Sequence, residues 1–144
     1  MSTTLFESTL YDQISWAQNK YINQHKTQFT GTEYSIDCRD LNFMSFLKID
    51  YTQFNSTFNK IPDYKAVVSI GTSLNKWKYG LSIYSIGKTT LPAYSYTDLN
   101  INYDFNDTRH VFTKIHNLLN TKYETVSGYN EAGFTLFVGM KQTF

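Results

Sequence analysis

The side chains able to do chemistry are few, and their spacing is wrong for it. Asp98-x-Asn100-x-Asn102 opens like a calcium-binding loop. An EF-hand, however, needs Gly at the sixth position and Glu at the twelfth, where this chain has Tyr103 and Arg109. Polar residues at every second position read instead as the polar face of a strand. His110 and His116 share a parity and hence a face, but six residues of strand hold them roughly 20 Å apart, too far to chelate one metal. His25 stands beside Lys26 and reads as solvated. Cys38 is the only cysteine, which removes intrachain disulfides and CxxC metal or redox motifs, so it reads as a small strand side chain. The sequence has no Gly-rich phosphate loop, G-x-S-x-G or H-E-x-x-H. Neither enzyme activity nor a metal or cofactor is expected.

The chain around these residues has 144 positions, with 13 Lys+Arg against 12 Asp+Glu and a formal charge of +1. Nucleic acid, which is met by clustered Lys and Arg, is therefore not an expected partner. Charged residues make up 17% of the chain, below the roughly 25% of ordinary soluble domains. Aromatics make up another 17%, as 12 Tyr, 11 Phe and 2 Trp. Disordered chains lack aromatics, so these rings belong on an ordered surface. The first residues show no basic start followed by an apolar run, so no secretory signal is expected. No run approaches the roughly 18 apolar residues of a membrane-spanning helix.

The elements that position these groups are strands. Leu99, Ile101, Tyr103 and Phe105 alternate with Asp98, Asn100, Asn102 and Asp104, which sorts apolar and polar side chains onto opposite faces. Phe134, Leu136, Val138, Met140 and Phe144 likewise oppose Gly133, Thr135, Gly139, Lys141 and Thr143, with Phe137 the one intruder. Similar runs lie at 3–11, 29–37, 41–54, 64–74, 77–87 and 109–116, with a weaker one at 14–22, which makes eight or nine strands. Joins at Asn75-Lys76 and Asn106-Asp107 are tight, whereas 55–63, 88–93 and 117–132 are long and rich in Asn, Thr, Pro and Gly. Tight turns alternating with long loops predict a sheet with two unlike ends. Strands are usually about 5–6 residues long; a tilted strand crossing a bilayer needs roughly 9–11, which fits these runs better. Such barrels carry an apolar outer face ringed by aromatics and a polar inner face, as Trp77, Tyr79, Tyr94, Tyr103, Phe134 and Phe144 suggest. This sorting by face also reconciles the rings with a mean hydropathy of −0.40. A soluble all-β binding module with the rings in its core stays open on periodicity alone. So does a self-contained eight-stranded barrel with a structural or adhesive role.

Residues 115–144, IHNLLNTKYETVSGYNEAGFTLFVGMKQTF, resemble the C-terminus of TonB-dependent outer-membrane receptors, and within them Tyr123–Gly133, YETVSGYNEAG, is most similar to the cobalamin and siderophore receptors as a group. Asn117-Leu118-Leu119-Asn120-Thr121-Lys122-Tyr123 is similar to that family's N-L-F-N/D-K-x-Y segment. Gly128-Tyr129 is similar to its loop, Ala132-Gly133 to the lead-in of its last strand, and Phe144 to its closing aromatic. Ile61-Pro62 with Tyr64-Lys65, and Thr90-Leu91-Pro92-Ala93-Tyr94, resemble two of its hairpin starts. The resemblance covers residues 61–144 by motif and the rest by strand pattern. It implies an antiparallel transmembrane meander, an incomplete part of a barrel of about 22 strands with a plugged lumen. The implied motif residues are Asn117, Leu118, Asn120, Lys122, Tyr123, Gly128, Tyr129 and Gly133, with a barrel-assembly signal at Gly139 and Phe144. Phe134, Phe137 and Gln142 depart from the family pattern. Implied partners are outer-membrane lipid, the barrel-assembly machinery, and TonB only through a plug, in the outer membrane of a Gram-negative bacterium. Intact relatives import ferric siderophores, haem or cobalamin, and Tyr123 and Tyr129 would be the loop residues facing such a ligand. Plug and signal peptide have no counterpart here, so residues 1–144 are expected to form one barrel segment. Closing these strands alone would bury Lys48, Asp50, Asp98, Asp104 and Lys114, which favours part of a larger wall.

Overall fold

Side chains that alternate with period two need extended backbone, and the computed structural model is built almost wholly from it. It describes residues 1–56 and 60–143, with backbone alone at 13, 15, 17, 24 and 25. The strands are β1 (Ser2–Ala17), β2 (Lys20–Leu41), β3 (Met44–Ser56), β4 (Tyr64–Leu74), β5 (Trp77–Ile86), β6 (Tyr94–Asn106), β7 (Arg109–His116), β8 (Glu124–Val126), β9 (Tyr129–Asn130) and β10 (Thr135–Gln142). β1 to β7 followed by β10 form one eight-stranded antiparallel meander, and β8 and β9 form a separate small hairpin. Among the described residues β1 and β10 make no contact, so the sheet is open at both edges.

Two expected strands are cut differently. The run 14–22 is the end of a hairpin: β1 and β2 pair as far as Ala17 and Lys20. Gln18 and Asn19 take φ of 52° and 60°, the left-handed values that a two-residue hairpin turn requires. The run 41–54 is cut as well, because Leu41 pairs with Met44 across Asn42-Phe43. Neither turn contains Gly or Pro, so neither interrupts the alternation. At Asn75-Lys76 the expected turn is present, with Asn75 at φ 53°, a conformation Asn tolerates.

Every tight turn between β2 and β7, namely 42–43, 75–76 and 107–108, lies at one end of the sheet. The longer connections after β3, β5 and β7 lie at the other. One face is apolar across the whole wall: a single register row runs Cys38, Leu47, Ile70, Leu81, Leu99, Ile115, Leu136. The adjoining row on the opposite face runs Asp37, Lys48, Ser69, Ser82, Asp98. No large apolar side chain among the described residues is buried, and Val138 and Met140 are each 66% exposed. A sandwich would cover that face with a second layer; here nothing does.

Rings border the apolar face at two levels. Tyr34, Tyr51 and Tyr64 stand toward the loop end at 6.3 and 6.0 Å. Trp77, Tyr79, Tyr103 and Phe105 stand at the tight-turn end, with Trp77 4.6 Å from Tyr103. From Tyr64 to Leu74, the partner of Trp77, is ten steps of roughly 3.3 Å, and a tilt near 40° reduces that to about 25 Å, the height of a barrel's apolar band. On the polar face, packing comes from phenylalanines laid over glycines directly across the ladder. Phe6 covers Gly31, Phe46 covers Gly71 and Phe112 covers Gly139. A Cβ on these glycines would fall 2.4, 2.2 and 2.3 Å from the ring, so the close approach requires glycine.

Candidate functional site

Beyond the loop end, residues 117–134 leave β7, turn back and enter β10. A free loop of this length is costly to fix, and asparagines fix it here. Asn117 is fully buried. Its Oδ1 accepts the Thr121 N–H at 2.9 Å, and its Nδ2 donates to the carbonyls of Thr121 (2.9 Å) and Ala132 (3.2 Å). One side chain thereby ties together the two ends of the loop. Its own N–H donates to Asp98 Oδ1 at 3.1 Å, and the neighbouring Leu118 N–H donates to the Thr97 carbonyl at 2.7 Å. Asn120 repeats the device: its Oδ1 accepts the Phe134 N–H at 3.0 Å. Asn117 and Asn120 both have positive φ, 52° and 53°. Gly133 is required because a Cβ there would lie 2.4 Å from Asn120 Oδ1.

Asp98 anchors this knot to the wall. It is almost fully buried, and its Oδ1 also lies 2.9 Å from His116 Nδ1. Beside it four tyrosines stack on the polar face, Tyr94 among them rather than on the apolar face expected of its ring. Tyr84 lies on Tyr96 at 4.7 Å, and Tyr123 faces both Tyr94 (4.5 Å) and Tyr96 (5.3 Å), with planes within 14° throughout. Burial raises the Tyr123 phenol above its ordinary pKa, assisted by the negative charge of Glu131.

The motif residues therefore come together as a scaffold at one end of the wall, with differing exposures. Asn117, Leu118, Asn120 and Gly133 hold the loop, and Tyr123 is half-buried in the stack. Lys122 is exposed. Gly128, at φ 83°, turns the β8–β9 hairpin and donates its N–H to Glu124 Oε2 at 2.9 Å. Tyr129 stands 74% exposed on that hairpin. Between this hairpin and the other long connections lies an open cavity of about 510 Å³, bordered by Lys60, Lys65, Leu91, Tyr94 and Glu124. Gly139 is far from this loop, under Phe112 in β10, and Phe144 lies outside the described residues.

Residue patterns left several members of this site unmarked. Asp98, Tyr84, Tyr94, Tyr96 and His116 all contribute, and the signal that could have found them is shared parity on the polar face; Thr97, on the other face, contributes its backbone carbonyl. The two histidines take separate aspartates: His110 Nδ1 lies 2.8 Å from Asp104, which also accepts Lys78 at 2.7 Å. Asp98, Asn100 and Asn102 lie along β6 as the polar strand face expected of them. Elsewhere on that face Lys48 pairs with Asp50 at 2.9 Å, and Ser35 donates to Asp50 at 2.8 Å.

No protein-family model matches the chain, and no curated protein matches it. Among solved structures it is similar to the ferric-catecholate import receptor Fiu from K12 E. coli, with a TM-score of 0.70 at 16% identity over 99% of this chain and 25% of that one. The chain thus spans about a quarter of the length of the receptor it matches. A likeness at this identity is one of fold. The antiparallel all-β meander has the architecture of part of that receptor's barrel, in agreement with the fold read from the alternating strands.

Proposed function

We propose that this chain forms the C-terminal wall of a TonB-dependent receptor in the outer membrane of a Gram-negative bacterium. The observation that carries the reading is the open eight-stranded sheet, with no buried apolar core among the described residues, which matches part of an import receptor over 99% of this chain. An apolar face uncovered by protein is stable in lipid, and the open edges of such a wall need further strands because lipid cannot satisfy unpaired N–H and C=O groups. The polar face then lines the lumen, where the plug reached by TonB would sit, and the loop end faces outward.

In this reading the chain is a single segment, 1–144, that works as wall and outer loops of an importer for a ferric siderophore, haem or cobalamin. The match to a ferric-catecholate receptor favours the first. Tyr123 and Tyr129 are the loop residues that would face the ligand, and Gly139 with Phe144 would be read by the barrel-assembly machinery. Fractionation tests the membrane assignment. The chain is expected in the outer-membrane fraction, resistant to carbonate washing and released by detergent. Recovery in the aqueous phase without detergent would overturn it and favour a soluble module.

A further inference from the structure

The apolar face is not uniform at the tight-turn end. Rings on β5 and β6 stand tall there while β7 carries small side chains, and the step between them is a cavity of about 320 Å³ lined by Trp77, Ile101, Tyr103, Phe105, Val111 and Thr113. A β-bulge shapes it. Asp104 pairs with His110 but Asn106 pairs with Arg109, so Phe105 is an extra residue in β6. Bulges re-aim side chains, and the Phe105 ring packs edge-on against Tyr103 at 4.7 Å. The bulge also leaves the Phe105 carbonyl free to accept Lys76 Nζ at 2.8 Å. That contact fixes an ammonium at the mouth of the cavity with two N–H groups still to donate. Arg109, two residues before Val111 on the same strand face, adds an exposed guanidinium at that mouth. The nearby carboxylate of Asp104 points to the opposite face and is held by Lys78 and His110, and Asp107 is the acidic residue of the turn itself.

We infer that this cavity holds one acyl chain of an anionic glycerophospholipid in the leaflet at the tight-turn end, with its phosphate received by Lys76 and Arg109. The inference rests on the membrane-wall reading and adds a defined lipid site to it. A ring-walled apolar slot fits a hydrocarbon chain, two cations at its polar end complement a phosphate, and the slot is continuous with the apolar band.

Photo-crosslinking in membranes tests it. Benzoylphenylalanine is placed at position 105, in the cavity, or at position 74, equally apolar and exposed at the same end but outside it, in cells grown on radiolabelled phosphate. Expected is label at 105 about fivefold above that at 74, carried mainly by phosphatidylglycerol. The excess should be lost in the Lys76→Gln, Arg109→Gln variant and largely retained in Arg109→Lys. Equal label at both positions, in proportion to bulk phospholipid, would overturn the lipid site and leave the wall intact. No label at either position would overturn the wall reading itself.

Discussion

Two excursions rise beyond the loop end of this wall, and they are held in opposite ways. The β1–β2 hairpin continues past its neighbour: residues 29–35 of β2 pair on both sides, whereas the stretch before Phe29 pairs with β1 alone. It is a ribbon held by its own ladder, with Trp16 against Tyr21 at 4.8 Å near the tip. The 117–134 loop has little ladder of its own, but the side chains of Asn117 and Asn120, the Asp98 carboxylate and the tyrosine stack pin it to β6 and β7. A two-stranded ribbon alone is only marginally stable, while buried polar groups are costly to leave unpaired. The hairpin should therefore fray locally, and the loop should open only when its knot is broken.

The largest expected effect comes from Asn117→Ala. It removes the partner of the Thr121 N–H and of the Thr121 and Ala132 carbonyls and places Ala at φ 52°, at a cost of about 3 kcal/mol. Amide hydrogen exchange across 118–134 should rise on the order of a hundredfold, with 9–28 unchanged; unaltered protection of the loop would break the comparison. Gly133→Ala should cost about 1–2 kcal/mol, since the new methyl displaces Asn120 Oδ1 and frees the Phe134 N–H. Its signature is faster exchange at Phe134 specifically. Trp16→Ala removes a cross-strand aromatic pair worth about 0.5–1 kcal/mol, and the added exchange should stay within the hairpin. If it spreads to 117–134, the two excursions are coupled after all. The smallest effect is that of alkaline pH on the loop. The Tyr123 pKa is raised in the folded loop, so protection there should be flat below about pH 10. It should decline as pH rises through the raised value, because the unfolded phenol ionises first; a decline at neutral pH would point to another group.

The strands were legible because burial is not needed to see them. Asp98 to Phe105 alternates so cleanly that two faces follow from period two alone. The turns at Gln18-Asn19 and Asn42-Phe43 were hidden, since no Gly or Pro marks either, and Leu41 and Met44 flank the second with apolar residues. Of the site, Asn117, Asn120 and Gly133 could be singled out through the resemblance of 117–133 to a family motif, but their task could not. A polar loop residue looks the same whether it meets water or a buried carbonyl.

What the sequence determined by itself is which side chains share a face, because extended backbone sorts them by parity whatever the fold around it. Which faces meet across strands was decided only by the tertiary structure. Counting outward from the 107–108 turn sets Asp98 opposite Asn117. The extra residue at Phe105 shifts the register by one, which brings Asp98 to His116 and leaves its second contact for the Asn117 backbone. A one-residue slip exchanges the two faces of a strand, and a bulge is stabilised by packing and hydrogen bonds from other strands. No local pattern of residues specifies it.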